Sequence, residues 1–132
     1  EIGTRVGLSS TPCWRRIQNL EKQGVIRKKV ALLDRRAIDV PLTVFVMIRT
    51  SQHNDSWLEK FAKGVSEIPE VLEFYRMSGT VDYLLRIVVP SVETYDAVYK
   101  RLISIADLAE VSSSFAMEEI KYTTALPLGY AG

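Results

Sequence analysis

The chain has 132 residues, of which 47% are hydrophobic and 25% are charged, as in folded domains and unlike disordered or fibrous chains. It contains no run of apolar residues long enough to span a bilayer and no signal-peptide pattern, so we expect a cytoplasmic protein of bacterial type without a membrane partner. The single cysteine, Cys13, and the single histidine, His53, cannot form an internal disulfide or a four-ligand zinc site, so we expect no metal centre.

Charge is distributed unevenly along the sequence. Residues 1–36 carry nine Lys or Arg against three acids, a net charge of +6, whereas the remaining residues carry eight bases against 13 acids. This asymmetry predicts a basic module that meets a polyanion, joined to an acidic module with another task. Because the chain starts with Glu1 inside a segment predicted to be helical, we also expect it to be truncated at its N-terminus.

The basic segment has the pattern of a helix-turn-helix. Residues 6–9 predict the end of a short helix and a sharp turn, and residues 9–12 supply capping hydroxyls followed by a proline that can start the next helix. Cys13, Ile17 and Leu20 recur at helical spacing on one face, and Gly24 is placed to end the helix. Such a second helix lies in the major groove of DNA in helix-turn-helix proteins.

The outer face of this helix carries the candidate DNA-binding residues. Hydroxyls at its start suit a phosphate, Arg side chains suit guanine edges or the backbone, and Asn suits adenine. The candidates are Ser10, Thr11, Arg15, Arg16, Asn19 and Lys22. The following basic stretch, residues 25–30, reads either as a wing or as a linker, and we favour a linker strand within residues 27–40.

The acidic segment, residues 41–132, predicts a ferredoxin-like α+β domain. Strands are predicted over residues 42–48, 71–77, 83–89 and 111–122, with helices over residues 56–65 and from Ser91 onward. The order of elements, βαββαβ, is that of the split arrangement in which both helices cover one face of a four-stranded sheet. Strand residues are apolar on both faces, for example Val44 and Val46 on one and Phe45 and Met47 on the other. We therefore predict that the open face is buried in a homodimer.

Two motifs resemble one known family. Residues 5–26 resemble the DNA-binding half of the Lrp/AsnC (leucine-responsive, feast/famine) transcriptional regulators, although the family has one more helix, and the start of a second, before the position of Glu1. Residues 78–85 and 115–121 are similar to that family's effector-binding and assembly domain. The resemblance implies a sequence-specific regulator of double-stranded DNA that forms dimers and then octamers or similar rings.

The resemblance also implies an amino-acid effector, with no other cofactor, bound where dimers meet. The turn that holds Gly79 and Asp82 is the part of the family pattern associated with the ligand, but Gly79 also suits a plain hairpin turn and Asp82 a turn-capping carboxylate. The implied effector residues are Arg76, Gly79, Thr80, Asp82, Val92, Ser114 and Ala116. Because Arg76 is charged where an aliphatic residue would suit leucine, leucine is not assumed to be the effector.

Two other classes of function are weighed against a regulator. An enzyme is disfavoured, because no nucleophile with a nearby base and no phosphate-binding loop is present, and Glu118 and Glu119 would point to opposite sides of a strand. The alternative is a stand-alone ligand-binding or oligomerisation module without DNA function, against which Arg15, Arg16 and Asn19 argue.

Overall fold

The structure is a computed structural model that describes residues 10–131, with side chains from residue 12 onward. The chain divides into two units, Glu1–Leu33 and Asp34–Gly132. The helix predicted to end before Ser9, and the side chains of Ser10 and Thr11, lie outside this description. No helix within the described part is both long and apolar enough to cross a bilayer.

The first unit contains helix α1, Ser10–Lys22. Ser10 and Thr11 lie in its first turn, whereas the sequence placed them before the helix or at its cap. The helix ends as predicted at Gly24, whose φ of 80° is left-handed. Gly24 N–H donates to the carbonyl of Glu21 at 3.1 Å and Val25 N–H to that of Leu20 at 2.9 Å, the paired bonds of a Schellman cap.

The linker strand predicted within residues 27–40 is not formed. Residues 27–34 of the described chain have no regular structure, and residues 35–39 form a turn closed by a 2.8 Å hydrogen bond from Val40 N–H to the Arg35 carbonyl. Val30, Leu32 and Leu33 are all exposed. The β-propensity of this stretch is not met, because no strand among the described residues pairs with it.

The second unit has the predicted ferredoxin-like order. Its elements are β1 (Leu42–Arg49), α2 (Asp55–Ser66), β2 (Val71–Arg76), β3 (Tyr83–Val89), α3 (Val92–Ile105) and β4 (Glu110–Phe115), followed by a short 3₁₀ helix (Leu128–Tyr130). All pairings are antiparallel, and the strand order is β2-β3-β1-β4. The α+β fold class predicted from the sequence is therefore confirmed.

Both helices begin at side-chain caps. The Asn54 side chain accepts a hydrogen bond from Trp57 N–H at 2.8 Å, and Ser91 Oγ accepts one from Thr94 N–H at 3.2 Å. Each cap satisfies a backbone donor that the first turn leaves without a helical partner.

The core lies between these helices and one face of the sheet. β1 and β3 contribute alternate residues, which share that face because their side chains alternate along a strand. The fully buried members include Val44, Val46, Ile48, Leu85, Ile87, Phe61, Val65 and Leu102. Helical spacing in the sequence predicts a buried stripe on each helix, Trp57, Leu58, Phe61 and Val65 on α2 and Tyr95, Val98, Leu102 and Ile105 on α3. All of these residues pack in the core, with Trp57, Leu58 and Ile105 half-buried.

The last strand is shorter than predicted. β4 ends at Phe115 and not at Tyr122, and its ladder closes with Ala116 N–H donating to the Thr43 carbonyl at 3.0 Å. β1 starts at Leu42 and is preceded by Pro41, which has no N–H to donate, so residues 117–122 find no partner strand. Glu118 and Glu119 therefore lie outside any strand, and the expectation that they alternate across one was wrong.

The open face of the sheet is mixed rather than uniformly apolar. Phe45, Met47 and Leu84 are half-buried there, and Arg86 lies in the same layer, since its register partner is Phe45. The Arg86 guanidinium is 3.1 Å from the Glu73 carboxylate and lies 5.4 Å from the centre of the Tyr122 ring. The apolar alternation of β3 is thus interrupted by a charge pair.

Candidate functional site

Helix α1 presents a polar surface opposite its apolar stripe. Cys13 is buried, and Ile17 and Leu20 are half-buried on one side. The spacing of three, four and seven residues places four exposed side chains together on the other side. They are Arg15, Gln18, Asn19 and Lys22.

Two residues of this helix differ from the sequence-based assignment. Arg16 is exposed, but at 100° per residue it lies on the flank beside the apolar stripe and not at the centre of the polar face. Gln18 lies on that face and was missed, although its spacing of three residues from Arg15 was a signal for it. A DNA-reading surface centred on Arg15 would therefore include Gln18 more directly than Arg16.

The turn between β2 and β3 forms the second candidate site. Gly79 has a φ of 145°, a conformation that other residues rarely adopt. Met77 N–H donates to the Asp82 carbonyl at 2.8 Å, which closes the turn. The glycine is therefore required by the turn itself, whatever the turn binds.

Asp82 fastens this turn to the end of β1. Its Oδ2 accepts a 2.8 Å hydrogen bond from Thr50 N–H, and its own N–H donates to the Ile48 carbonyl at 2.9 Å. Thr50 is 6% exposed, so water reaches it poorly. The structural role considered for Asp82 is present, with a backbone amide of another segment as the donor.

A cavity of about 380 Å³ opens beside the turn. Arg76 and Asp82, both candidate effector residues, contribute to its wall, whereas Gly79 and Thr80 do not. The other polar wall residues were missed by the sequence reasoning, because they come from the loop after β1, the start of α2 and the turn: His53, Asp55 and Ser78. In the sequence His53 lies between Gln52 and Asn54 in a polar loop, a context that predicts only an ordinary surface histidine.

Two wall charges act on Tyr83, which also lines the cavity. Burial raises the pKa of the Tyr83 phenol above its usual value; Arg76 opposes that rise and Asp82 adds to it. The hydroxyl stays neutral at physiological pH and can donate or accept a hydrogen bond.

Thr80 lies on a different surface of the turn. It contributes, with Met47 and Ser112, to a smaller cavity of about 190 Å³. Its rim holds an exposed ion pair between Arg49 and Glu110 at 3.3 Å. Thr80 thus faces the open side of the sheet, where Met47 and Ser112 are register partners.

The remaining candidate effector residues lie at the far end of the sheet. Val92 is the first residue of α3 and follows the end of β3, whose seven residues span about 20 Å at roughly 3.3 Å per residue. Ser114 pairs with Phe45, and Ala116 bonds to Thr43 near the start of β1. Within a single chain, these three residues therefore lie at the opposite end of the sheet from Arg76, Gly79, Thr80 and Asp82.

Comparison with known proteins gives one consistent result. Residues 43–126 match the family model described as the Lrp/AsnC ligand binding domain, and residues 1–27 match a winged helix-turn-helix DNA-binding model. The DNA-binding transcriptional activator DecR of Escherichia coli (strain K12) is 51% identical over 128 residues, which cover 96% of this chain and 84% of that protein.

Two solved structures support the same assignment. An AsnC family transcriptional regulator from Agrobacterium tumefaciens superposes with a TM-score of 0.88 at 59% identity, covering 98% of this chain and 87% of that one. A transcriptional regulator from Neisseria meningitidis, solved as a complex with L-methionine, has a TM-score of 0.85 at 35% identity and covers 98% and 84%.

Proposed function

Because this chain belongs to the Lrp/AsnC family of DNA-binding transcriptional regulators, we propose that an amino acid binds its second unit and changes how α1 is presented to DNA. Residues 1–26 would form the DNA-binding part, residues 27–40 the connection, and residues 41–132 the part that binds effector and assembles. The observation that carries the proposal is the exposed polar face of α1, a helix capped at its C-terminus by Gly24, in a segment of net charge +6.

Different residues of α1 have different proposed roles on DNA. Arg15, Gln18 and Asn19 lie on the face that would meet base edges, where Arg suits guanine and the amides suit adenine. Arg16 and Lys22 would hold phosphates, as would the hydroxyls of the first turn, Ser10 and Thr11. Chromosomal DNA as the partner implies a place of action in the cytoplasm, at the nucleoid.

The proposed assembly is a homodimer formed through the open sheet face. Phe45, Met47 and Leu84 would be buried there, and a two-fold interface would present the same residues from both copies. Dimers would then assemble into an octamer or a similar ring. A second copy would also bring the candidate effector residues together. Val92, Ser114 and Ala116 of one copy would lie beside the β2–β3 turn of the other, which they do not reach within one chain.

The proposed coupling follows from linkage. An amino acid that binds one assembly state more tightly than another shifts the balance between them by its difference in affinity. The number of α1 helices presented together, and with it the affinity for DNA, then changes.

The test is a selection of binding sites from random double-stranded DNA with the 132-residue chain, followed by titrations of a selected site with and without amino acids. We expect affinity that falls steeply with salt, because each phosphate contact contributes a slope of about −0.9 in the log–log plot. We also expect one or more amino acids to change both this affinity and the mass measured by light scattering. Binding without sequence preference, or affinity and mass that no amino acid changes, would contradict the proposal.

A further inference from the structure

We infer that the second unit also contacts DNA, through a basic groove between α2 and α3 that is suited to the phosphates of a double strand. The groove has a volume of about 490 Å³, and its cations are Lys60, Lys63 and Arg101. This contact rests on the proposed function, which makes double-stranded DNA the partner. It extends that function, in which the second unit only binds effector and assembles.

The three cations of the groove are concentrated within an acidic unit. Residues 37–132 carry eight Lys or Arg against 13 acids, and three of these eight line the one groove. Within the described part of the chain, no carboxylate forms an ion pair with any of the three. Three of the other five cations are paired, namely Arg49, Arg86 and Lys100. The groove therefore collects positive charges that are available to a ligand.

Close contact between the two helices brings these cations together. Lys60 and Lys63 are three residues apart on α2, so they are neighbours on its surface and lie about 4.5 Å apart along its axis. Arg101 reaches the groove from α3. The helices approach each other here because Gly64 has no side chain, and a Cβ at this position would lie 2.7 Å from Cγ2 of Ile105. Cations from two helices thus line one surface.

The rest of the lining favours a long polyanion over a small one. Glu67 adds one carboxylate, so the three cations and this acid leave a net charge of +2. Ser104 Oγ donates its hydrogen to the Arg101 carbonyl at 2.7 Å and offers no free donor to an anion. All three cations are exposed, whereas pockets for small ligands bury most of the ligand surface. A DNA backbone suits such a surface, because it brings several phosphates to the exposed cations at once.

Contacts of this kind should add affinity without adding sequence preference. A Lys or Arg that neutralises a phosphate releases counterions, and contacts to the backbone carry no information about the bases. The groove should therefore hold DNA outside the bases that α1 reads. Its contribution should appear only when the duplex extends beyond that site.

The test compares two duplexes, one no longer than the site selected with the 132-residue chain and one with the same site extended at both ends by unrelated sequence. The variant Lys60→Gln/Lys63→Gln/Arg101→Gln should bind the extended duplex more weakly than the parent chain does. The magnitude of its slope of log affinity against log salt concentration should fall by about 0.9 to 2.7, which corresponds to one to three lost phosphate contacts. The short duplex should show no such fall. A smaller fall on the extended duplex, or an equal fall on both, would overturn the inference.

Two neighbouring cations on α3 provide a matched control. Lys100 is next to Arg101 but pairs with Asp96 at 3.0 Å and does not line the groove. On the extended duplex, Arg101→Gln alone should lower the magnitude of the salt slope by about 0.9, whereas Lys100→Gln should leave it unchanged. Arg101→Lys keeps the charge and should keep the slope. Equal falls in Arg101→Gln and Lys100→Gln would reveal a general effect of net charge and contradict a contact in the groove.

Pyrophosphate distinguishes a DNA contact from a site for a small anion. Isothermal titration of the parent chain with pyrophosphate should show no saturable binding that the triple variant loses. If the triple variant loses such binding while its salt slope on the extended duplex is unchanged, the groove is a site for small phosphate compounds and the inference is overturned.

Failure of the proposed function would look different. If the parent chain binds DNA without sequence preference, or responds to no amino acid, the ligand-controlled regulator is contradicted. The same comparison on short and long random duplexes then still measures the groove. If site selection and the amino-acid response are as expected but the triple variant keeps the parent's slope, the regulator stands and the groove contact falls.

Discussion

The carboxylate of Asp82 accepts a 2.8 Å hydrogen bond from the backbone N–H of Thr50, 32 positions away in the sequence. This bond holds the β2–β3 turn against the end of β1, next to the loop that carries His53. The same carboxylate belongs to the cavity wall, so the position of the cavity depends on a contact that also stabilises the fold.

Replacing Asp82 separates these roles. Asp82→Ala should lower the free energy of unfolding by about 1–3 kcal/mol, because it leaves the buried Thr50 N–H without an acceptor. Asp82→Asn keeps an acceptor oxygen and should recover most of that loss. Urea unfolding measures both variants, and equal stability of Asp82→Ala and the parent chain would show that water replaces the carboxylate.

Gly79 should not tolerate a side chain. Its φ of 145° is unfavourable for other residues, although a Cβ there would meet no atom within 4 Å, so Gly79→Val should lower the free energy of unfolding by about 1–3 kcal/mol through backbone strain alone. We also expect loss of the effector response with the dimer intact. Gly129→Ala is the matched control, since its Cβ also meets nothing and its φ lies outside that region. Dissociation of Gly79→Val to monomers in light scattering would mean that the turn is needed for assembly.

Gly64 is required for packing of α2 against α3. A Cβ at this position would lie 2.7 Å from Cγ2 of Ile105, and overpacking of this kind costs about 1–3 kcal/mol. Gly64→Ala should therefore lower the urea midpoint. In the double variant with Ile105→Ala the loss should be smaller than the sum of the two single losses, whereas simple additivity would show that the helices do not meet there.

Alkaline pH should destabilise the second unit through Tyr95. Burial raises the pKa of its phenol above the usual 10.0, against the opposing effect of the hydrogen bond with Ser113. The unfolded chain therefore ionises first, so the stability that the neutral phenol provides is complete below pH 10 and is lost as the pH rises toward the folded pKa.

Urea unfolding between pH 8 and 11 measures this loss. In Tyr95→Phe the free energy of unfolding should fall less steeply between pH 10 and 11 than in the parent chain. Tyr130→Phe changes a residue that is 93% exposed and should leave this pH dependence unchanged. An identical decline in the parent and in Tyr95→Phe would assign the alkaline transition to other groups.

The polar face of α1 should separate base-reading from phosphate-holding residues. Arg15→Ala and Gln18→Ala should weaken binding to a selected site by about 1–3 kcal/mol and reduce the preference over random DNA, as expected for lost base contacts. Arg16→Ala and Lys22→Gln should weaken binding to selected and to random DNA equally. Each should also lower the magnitude of the slope of log affinity against log salt concentration by about one.

The control for these variants lies in the other unit. Lys100, paired with Asp96 at 3.0 Å on α3, can be changed to Gln without touching α1, and DNA binding should not change. Equal effects of Arg15→Ala on selected and random DNA would assign Arg15 to the phosphates.

The fold followed from the sequence wherever local pattern and tertiary burial agreed. β3 was predicted with the bounds that the structure shows, because its apolar run is bounded by a turn and a proline. The buried stripes of α2 and α3 followed from helical spacing, and Gly24 from its position after α1. In each case one segment contains all the information required.

The sequence-based predictions of strands failed where strand formation depends on pairing with another segment of the chain. Residues 117–122 have strand-forming composition, but β1 begins at Leu42 and its ladder with the last strand does not extend past the Ala116–Thr43 hydrogen bond. Within residues 10–131, no strand pairs with the basic stretch after α1 either. Composition gives a segment a preference for the strand conformation, but the segment forms a strand only where another segment, distant in sequence, supplies its hydrogen-bonding partners.

The candidate site divides in the same way. The sequence by itself indicated the basic helix and the family, because these depend on residue type and short spacing, and the family resemblance proposed Arg76, Gly79 and Asp82 as effector residues. Only the tertiary structure brought His53 and Asp55 beside Arg76, tied Asp82 to Thr50, and placed Val92, Ser114 and Ala116 at the other end of the sheet. Those arrangements depend on how β1, β2 and β3 pair, and such pairing joins residues whose separation in the sequence gives no sign that they meet.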